Sequence, residues 1–207
     1  RGTDASRLSE LHDLERQFPS VTQILVDEPK GNNGNAAIRK SLWLEQTFDE
    51  SLPGLEDVDW ARKAERNGYR IYYAANASVY HLHEETLRQV YRRHMREAVA
   101  SKRMFPHNRF TWSDMIRGLP YSILRDILFS LRQAHYGKLL QIPGNRIAQF
   151  WGMRQGMRYQ RKLARDIMKE LTIPDTHKQV VTPDDNQHCL HQSEIPILKS
   201  DEVLVQV

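Results

Sequence analysis

The 207-residue sequence predicts a mixed α/β fold continued by a basic helical extension and an irregular tail. Three observations carry that expectation. Short β-branched and aromatic runs alternate with helical periodicity over residues 1–109. The charge then changes abruptly: Thr86 to Arg165 holds 17 Lys and Arg against 3 Asp and Glu, a balance of +14, while the stretches before and after it each stand at −5. From Thr172 the chain is polar and interrupted by Pro174, Pro183 and Pro196. The organisation read from this is three segments, 1–109, 110–171 and 172–207, and a hydrophobic content of 40% is enough to give the chain a core.

Taken in order, "RLSELHDLERQF" places Leu8, Leu11, Leu14 and Phe18 at helical spacing. "VTQILV" is short and β-branched, a strand. "KGNNGNAAIRKSLWLEQ" opens with Gly and Asn, which tolerate left-handed backbone, and then turns helical. Glu56 to Asn67 reads as a helix with three acids in its first turn, where the helix dipole favours negative charge, and Gly68 ends it. "YRIYYA" and "ASVYHLH" alternate as strands do. A helix follows with Leu87, Val90, Tyr91, Met95, Ala98 and Val99 on one face. In the basic segment, "SDMIRGLPYSILRDILFSLRQ" starts at a Ser113 cap and carries an apolar face from Met115 through Leu131, with Pro120 expected to bend or divide it. After a break at "IPGN", a last helix sets Ile147, Phe150, Trp151, Met153 and Met157 among arginines. The terminal "DEVLVQV" reads as a strand without partners in the chain.

No run approaches the roughly 20 apolar residues of a membrane span, and no signal-peptide pattern opens the chain. Cys189 stands alone, which excludes an internal disulfide and fits a reducing compartment. An opening Arg1 points to a processed product or a fragment. The expected location is the cytoplasm, with peripheral attachment at the inner face of the cell membrane.

The stretch "PGLEDVDWARKAERNGYRIYYAANASVYHLHEE" concentrates the candidate chemistry. Glu56, Asp57 and Asp59 crowd a helix start, and two histidines, His81 and His83, stand at i and i+2 on a strand, where they point to the same side. Charged helix starts are common, so a cap is the simplest account of the acids alone. The Asn/Gly-rich loop upstream and the histidines downstream point instead to a site.

"NNGNAAIRKSLW", "FDESLPGLEDVDWARKAERNGYRIYY" and "ASVYHLHEE" resemble the acceptor-side half of a family 2 glycosyltransferase of the GT-A fold, from about Gly31 to Glu85. The fold class this implies is α/β, a partial GT-A-like mixed sheet. The resemblance extends more loosely through the following helices, which are similar to the C-terminal extension of polysaccharide-type members. It implies an inverting transfer of a sugar from a nucleotide-sugar donor to a hydroxyl of a glycan or lipid-linked acceptor. In that reading Asp57 is the general base, with Glu56 beside it. A neutral hydroxyl is a poor nucleophile, and a carboxylate within hydrogen-bond reach removes its proton as the new bond forms. Asn33, Asn35, Arg39, Asp59 and Trp60 are implied on the donor and acceptor sides, and His81 as a contact of a divalent cation, Mg or Mn, or of the donor diphosphate.

The family's nucleotide-binding half, with the Asp-x-Asp that holds the cation, has no counterpart upstream of the Asn-rich loop. The chain by itself is therefore expected to bind nucleotide sugar poorly. The last stretch, "KQVVTPDDNQHCLHQSEIPILKSDEVLVQV", is similar to the opening of a medium-chain alcohol dehydrogenase or quinone reductase, and the two resemblances together suggest a piece of a fusion. A non-catalytic binding or scaffold module is the alternative function. The basic segment has three open readings: packing on the catalytic domain, nucleic-acid binding, or contact with an anionic membrane surface. No nucleic-acid module is recognisable in it.

Overall fold

A computed structural model describes residues 7–25, 35–77, 79, 85–159 and 202–205. Its elements run α1 (Leu8–Gln17), β1 (Gln23–Leu25), α2 (Lys40–Glu45), α3 (Glu56–Arg66), β2 (Arg70–Tyr73), α4 (Leu87–Met104), α5 (Trp112–Arg132), a short 3-10 turn (Tyr136–Lys138), α6 (Gln141–Arg158) and β3 (Glu202–Val205). The class is mixed α/β, mostly helical.

β2 is the central strand of a small mixed sheet. β1 pairs with it antiparallel, Gln23 opposite Tyr73 and Leu25 opposite Ile71. β3 pairs parallel on its other side, Arg70 opposite Glu202 and Tyr73 opposite Val205. This corrects the expectation that the terminal strand lacks partners: its backbone joins the edge that β1 leaves free. Apart from β3, segment 172–207 and the rest of the dehydrogenase-like stretch within it lie outside the described residues.

The α/β core is built on α3 and the sheet. Trp60, Ala61, Ala64, Ile71 and Leu42 are all at most 2% exposed, and Phe48 packs edge-on against both Trp43 and Trp60. The Trp60 indole donates to the Gln46 carbonyl at 2.6 Å, and the Gln46 amide donates back to the Trp60 carbonyl at 2.9 Å, so α2's exit is tied to α3. α3 ends as the sequence expects. Gly68 takes φ +88°, its N–H bonds the Glu65 carbonyl and the Tyr69 N–H bonds the Ala64 carbonyl, a Schellman closure.

The remaining helices pack together. α4 starts at a Thr86–Gln89 capping box and lies along α6. Gly152 and Gly156 of α6 sit directly on α4: a Cβ at the first would overlap the Tyr91 carbonyl, and one at the second the Met95 carbonyl and Ala98. α5 departs from its sequence reading in two ways. Its cap is Thr111, in a capping box with Asp114, because Thr111 rather than Ser113 has the acid three residues on. The helix also runs unbroken through Pro120, an exposed position. "IPGN" is likewise inside a helix, the first turn of α6, where proline's missing N–H would have no intrahelical partner anyway. The break falls earlier, at Ala134, whose φ is +56°.

Candidate active site

Sequence sets up the site through a turn and a left-handed residue. Asp49 Oδ1 accepts from the Ser51 N–H at 3.0 Å and the Ser51 hydroxyl at 2.6 Å, folding the chain back before Pro53 and Gly54. Leu55 then takes φ +59°, ψ 23°, an uncommon backbone for leucine, and α3 begins at Glu56. Leu55 offers no side-chain oxygen, so no side chain caps the helix from the N-cap position. α4 braces this loop from behind: Arg103 donates to the Ser51 carbonyl, and Arg62 lies over the Phe105 ring at 4.5 Å.

Between the loop, the start of α3 and α4 lies a cleft of about 670 Å³. Trp43, Phe48, Leu52 and Leu55 supply apolar wall, Glu56 and Asp57 one polar side, and Arg93, Arg96 and Glu97 of α4 another. Asp57 Oδ1 accepts from the Val58 N–H at 2.7 Å. Arg93 is held by the Glu85 carboxylate through its Nε and Nη2, at 3.0 and 2.7 Å. Burial alone would push the Glu97 carboxyl up. The hydrogen bond from His94 and the charges of Arg93 and Arg96 outweigh it and hold the group below the usual carboxylate range. Arg96 Nε is buried and has no hydrogen-bond partner. The cleft thus pairs carboxylates with guanidinium groups across a partly apolar floor, a setting that suits a hydroxyl-rich ligand.

The structure divides the sequence-derived candidates. Glu56 and Asp57 both line the cleft. Asp59 does not: it is 4% exposed and bound to Lys63 and Arg62 on its own helix, with Nζ–O at 2.5 Å and Nη2–O at 3.6 Å. Trp60, placed by resemblance on a binding surface, is instead a core residue at 1% exposure, because position 60 faces the sheet. Asn35 donates to the Ala77 carbonyl at 2.8 Å, tying its loop to the turn after β2. Arg39 is the N-cap residue of α2, and neither it nor Asn35 lines the cleft. Asn33, His81 and His83 lie outside the described residues.

Among the described residues no group of three or more His, Cys, Asp or Glu is placed to hold a metal ion. Arg93, Arg96 and Glu97 went unremarked in the sequence, although their i, i+3, i+4 spacing in "YRRHMREA" puts them on one face of α4. None of the described helices is long and apolar enough to cross a membrane. Comparison of the chain with family models, with curated proteins and with solved structures finds no match.

Proposed function

We propose that residues 1–109 are the acceptor-side half of an inverting, GT-A-type glycosyltransferase acting on a glycan or lipid-linked acceptor. The observation that supports this best is where the three acids stand: Glu56 and Asp57 line a cleft of about 670 Å³, while Asp59 is 4% exposed and lines none of it. A purely capping cluster has no need of a cleft in front of it. In this reading an acceptor hydroxyl donates a hydrogen bond to Asp57. As its oxygen attacks C1 of the donor sugar, the proton passes to the carboxylate. The C1–oxygen bond to the diphosphate breaks, the nucleoside diphosphate leaves with the electron pair, and the configuration at C1 inverts. Glu56 accepts a second hydroxyl of the acceptor and fixes its orientation.

A divalent cation, in enzymes of this type, neutralises charge on the departing diphosphate. The described residues do not furnish a site for it, and the steps above use none.

The test is transfer, measured as nucleoside diphosphate release, with this chain joined to a donor-binding half. Asp57→Asn keeps the shape and removes the base, and is expected to lower turnover by about 10²–10⁴-fold. Near-normal turnover in that variant would return the acids to a capping role in a binding module.

A further inference from the structure

The α5–α6 pair buries charged groups beside the apolar Ile142 and Phe150, and exposes part of its aliphatic surface. Its interior holds an ion network: Asp126 is fully buried and accepts from Arg146 at 2.7 and 2.8 Å, and His12 Nδ1 lies 2.8 Å from Asp126 Oδ1. Its exterior carries a row of aliphatic side chains. Leu124 and Leu128 stand two residues to either side of Asp126, about 200° around the helix, and are 56% and 46% exposed. Ile116 at 69% and Leu131 at 46% extend the stripe along α5. At one end the Trp112 ring meets Trp151 of α6 at 6.1 Å, and Ile147 lies one turn from Trp151, so the exposed apolar surface continues onto the second helix. Arg117 and Arg132 are exposed on the same outward side of α5.

We propose that this face docks on an anionic lipid bilayer, with the Ile116–Leu131 stripe in the acyl boundary and Arg117 and Arg132 at the headgroups. Charge chooses the occupant. From Trp112 to Arg158 seven Lys and Arg stand against two acids, Asp114 and the buried Asp126, so the exposed part of the pair is net basic even with the capped Asp114 carboxylate charged. A second copy seated on the same face would bring like charges together, whereas an anionic surface complements them. Nucleic acid would match the arginines but not a row of leucine and isoleucine. Tryptophan side chains at the rim suit the water–lipid boundary. The inference does not depend on the glycosyltransferase reading, since α5 and α6 do not line the cleft.

The experiment is flotation of the full 207-residue chain with vesicles of phosphatidylcholine alone, or of phosphatidylcholine mixed with phosphatidylglycerol, at low and high salt. Binding is expected only with the anionic vesicles, and is expected to weaken as salt screens the arginines. The pair Leu124→Glu and Leu128→Glu should lower bound protein tenfold or more, with its thermal unfolding unchanged because both positions face solvent. Leu44→Glu, more exposed still but on α2, should float like the parent chain. Arg117→Gln with Arg132→Gln should reduce the preference for anionic lipid while leaving the fold intact. Three results would overturn the proposal: no flotation with anionic vesicles, equal flotation with neutral ones, or full flotation of the leucine variant. Self-association abolished by the leucine variant, without flotation, would assign the face to a second copy instead.

Discussion

Asp57 and Asp59 are two residues apart and have opposite surroundings. Roughly 200° of helix rotation separates them, so when Asp57 opens on the cleft Asp59 must turn toward its own helix. Asp59→Asn is therefore expected to affect stability before activity. It removes a nearly buried charge from Lys63 and Arg62, and should lower the unfolding midpoint in denaturant while acceptor binding in the cleft persists. Glu10 of α1 makes a separate prediction. Burial pushes its carboxyl from 4.5 up to about 7 against the Arg93 charge, with Glu85 adding to the rise, Arg7 opposing it and Asp13 adding again. The folded chain thus binds this proton more tightly than the unfolded chain does. Its contribution to stability is complete below about pH 4.5 and is lost as pH rises through about 7. Glu10→Gln should flatten that part of the Tm–pH profile and raise Tm above pH 7, measured as the difference from the parent chain so that other carboxylates cancel.

At the scale of elements, contacts rather than propensity decide which helices hold. α6 carries Pro143, Gly144, Gly152 and Gly156, a poor helix by composition, yet it runs from Gln141 to Arg158. Glycine is required at positions 152 and 156 because the α4 backbone lies where a side chain would be. Gly156→Val should force α4 and α6 apart and cost several kcal/mol, on the order of a severe overpacking substitution. Gly144→Ala, whose Cβ would meet only the flexible tip of Leu87 at 3.4 Å, should be close to neutral. Urea unfolding of the two variants separates the cases. The i, i+4 glycine spacing was visible in "WGMRQGMR", but nothing local said which helix would come close enough to need it.

Over the whole molecule, one ion network joins segments far apart in the chain. Arg146 of α6 reaches Asp126 of α5 and Asp13 of α1, with Nη1–Oδ2 of Asp13 at 2.8 Å, and His12 stacks on Phe129 with ring centroids 4.5 Å apart. Burial on its own would raise the Asp126 carboxyl. Hydrogen bonds, chiefly from Arg146, outweigh it and hold the group below its ordinary range. Arg146→Met should be severe, about 3–5 kcal/mol by denaturant titration, because Asp126 would be left charged and buried. Arg146→Met combined with Asp126→Leu should recover much of that loss, since the uncompensated charge goes with its partner.

Local pattern in the sequence determined the mixed α/β class, the positions of α1, α3 and α4, the Gly68 stop and the acidic start of α3. Each depends on neighbours within a turn or two, where backbone preference and capping act. The sequence also marked Glu56 and Asp57, because their chemistry is written in their residue types. Tertiary structure alone decided the rest. It placed Arg93, Arg96 and Glu97 across from those acids, because a cleft needs two elements and the sequence shows one at a time. It turned Trp60 inward, paired β3 with β2, and drew Arg146 into the interior while leaving Leu124 and Leu128 outside. Amphipathic spacing tells that α5 has two unlike faces. Which face is buried depends on where a compensating charge stands, and Arg146 is 20 residues from Asp126 along the chain.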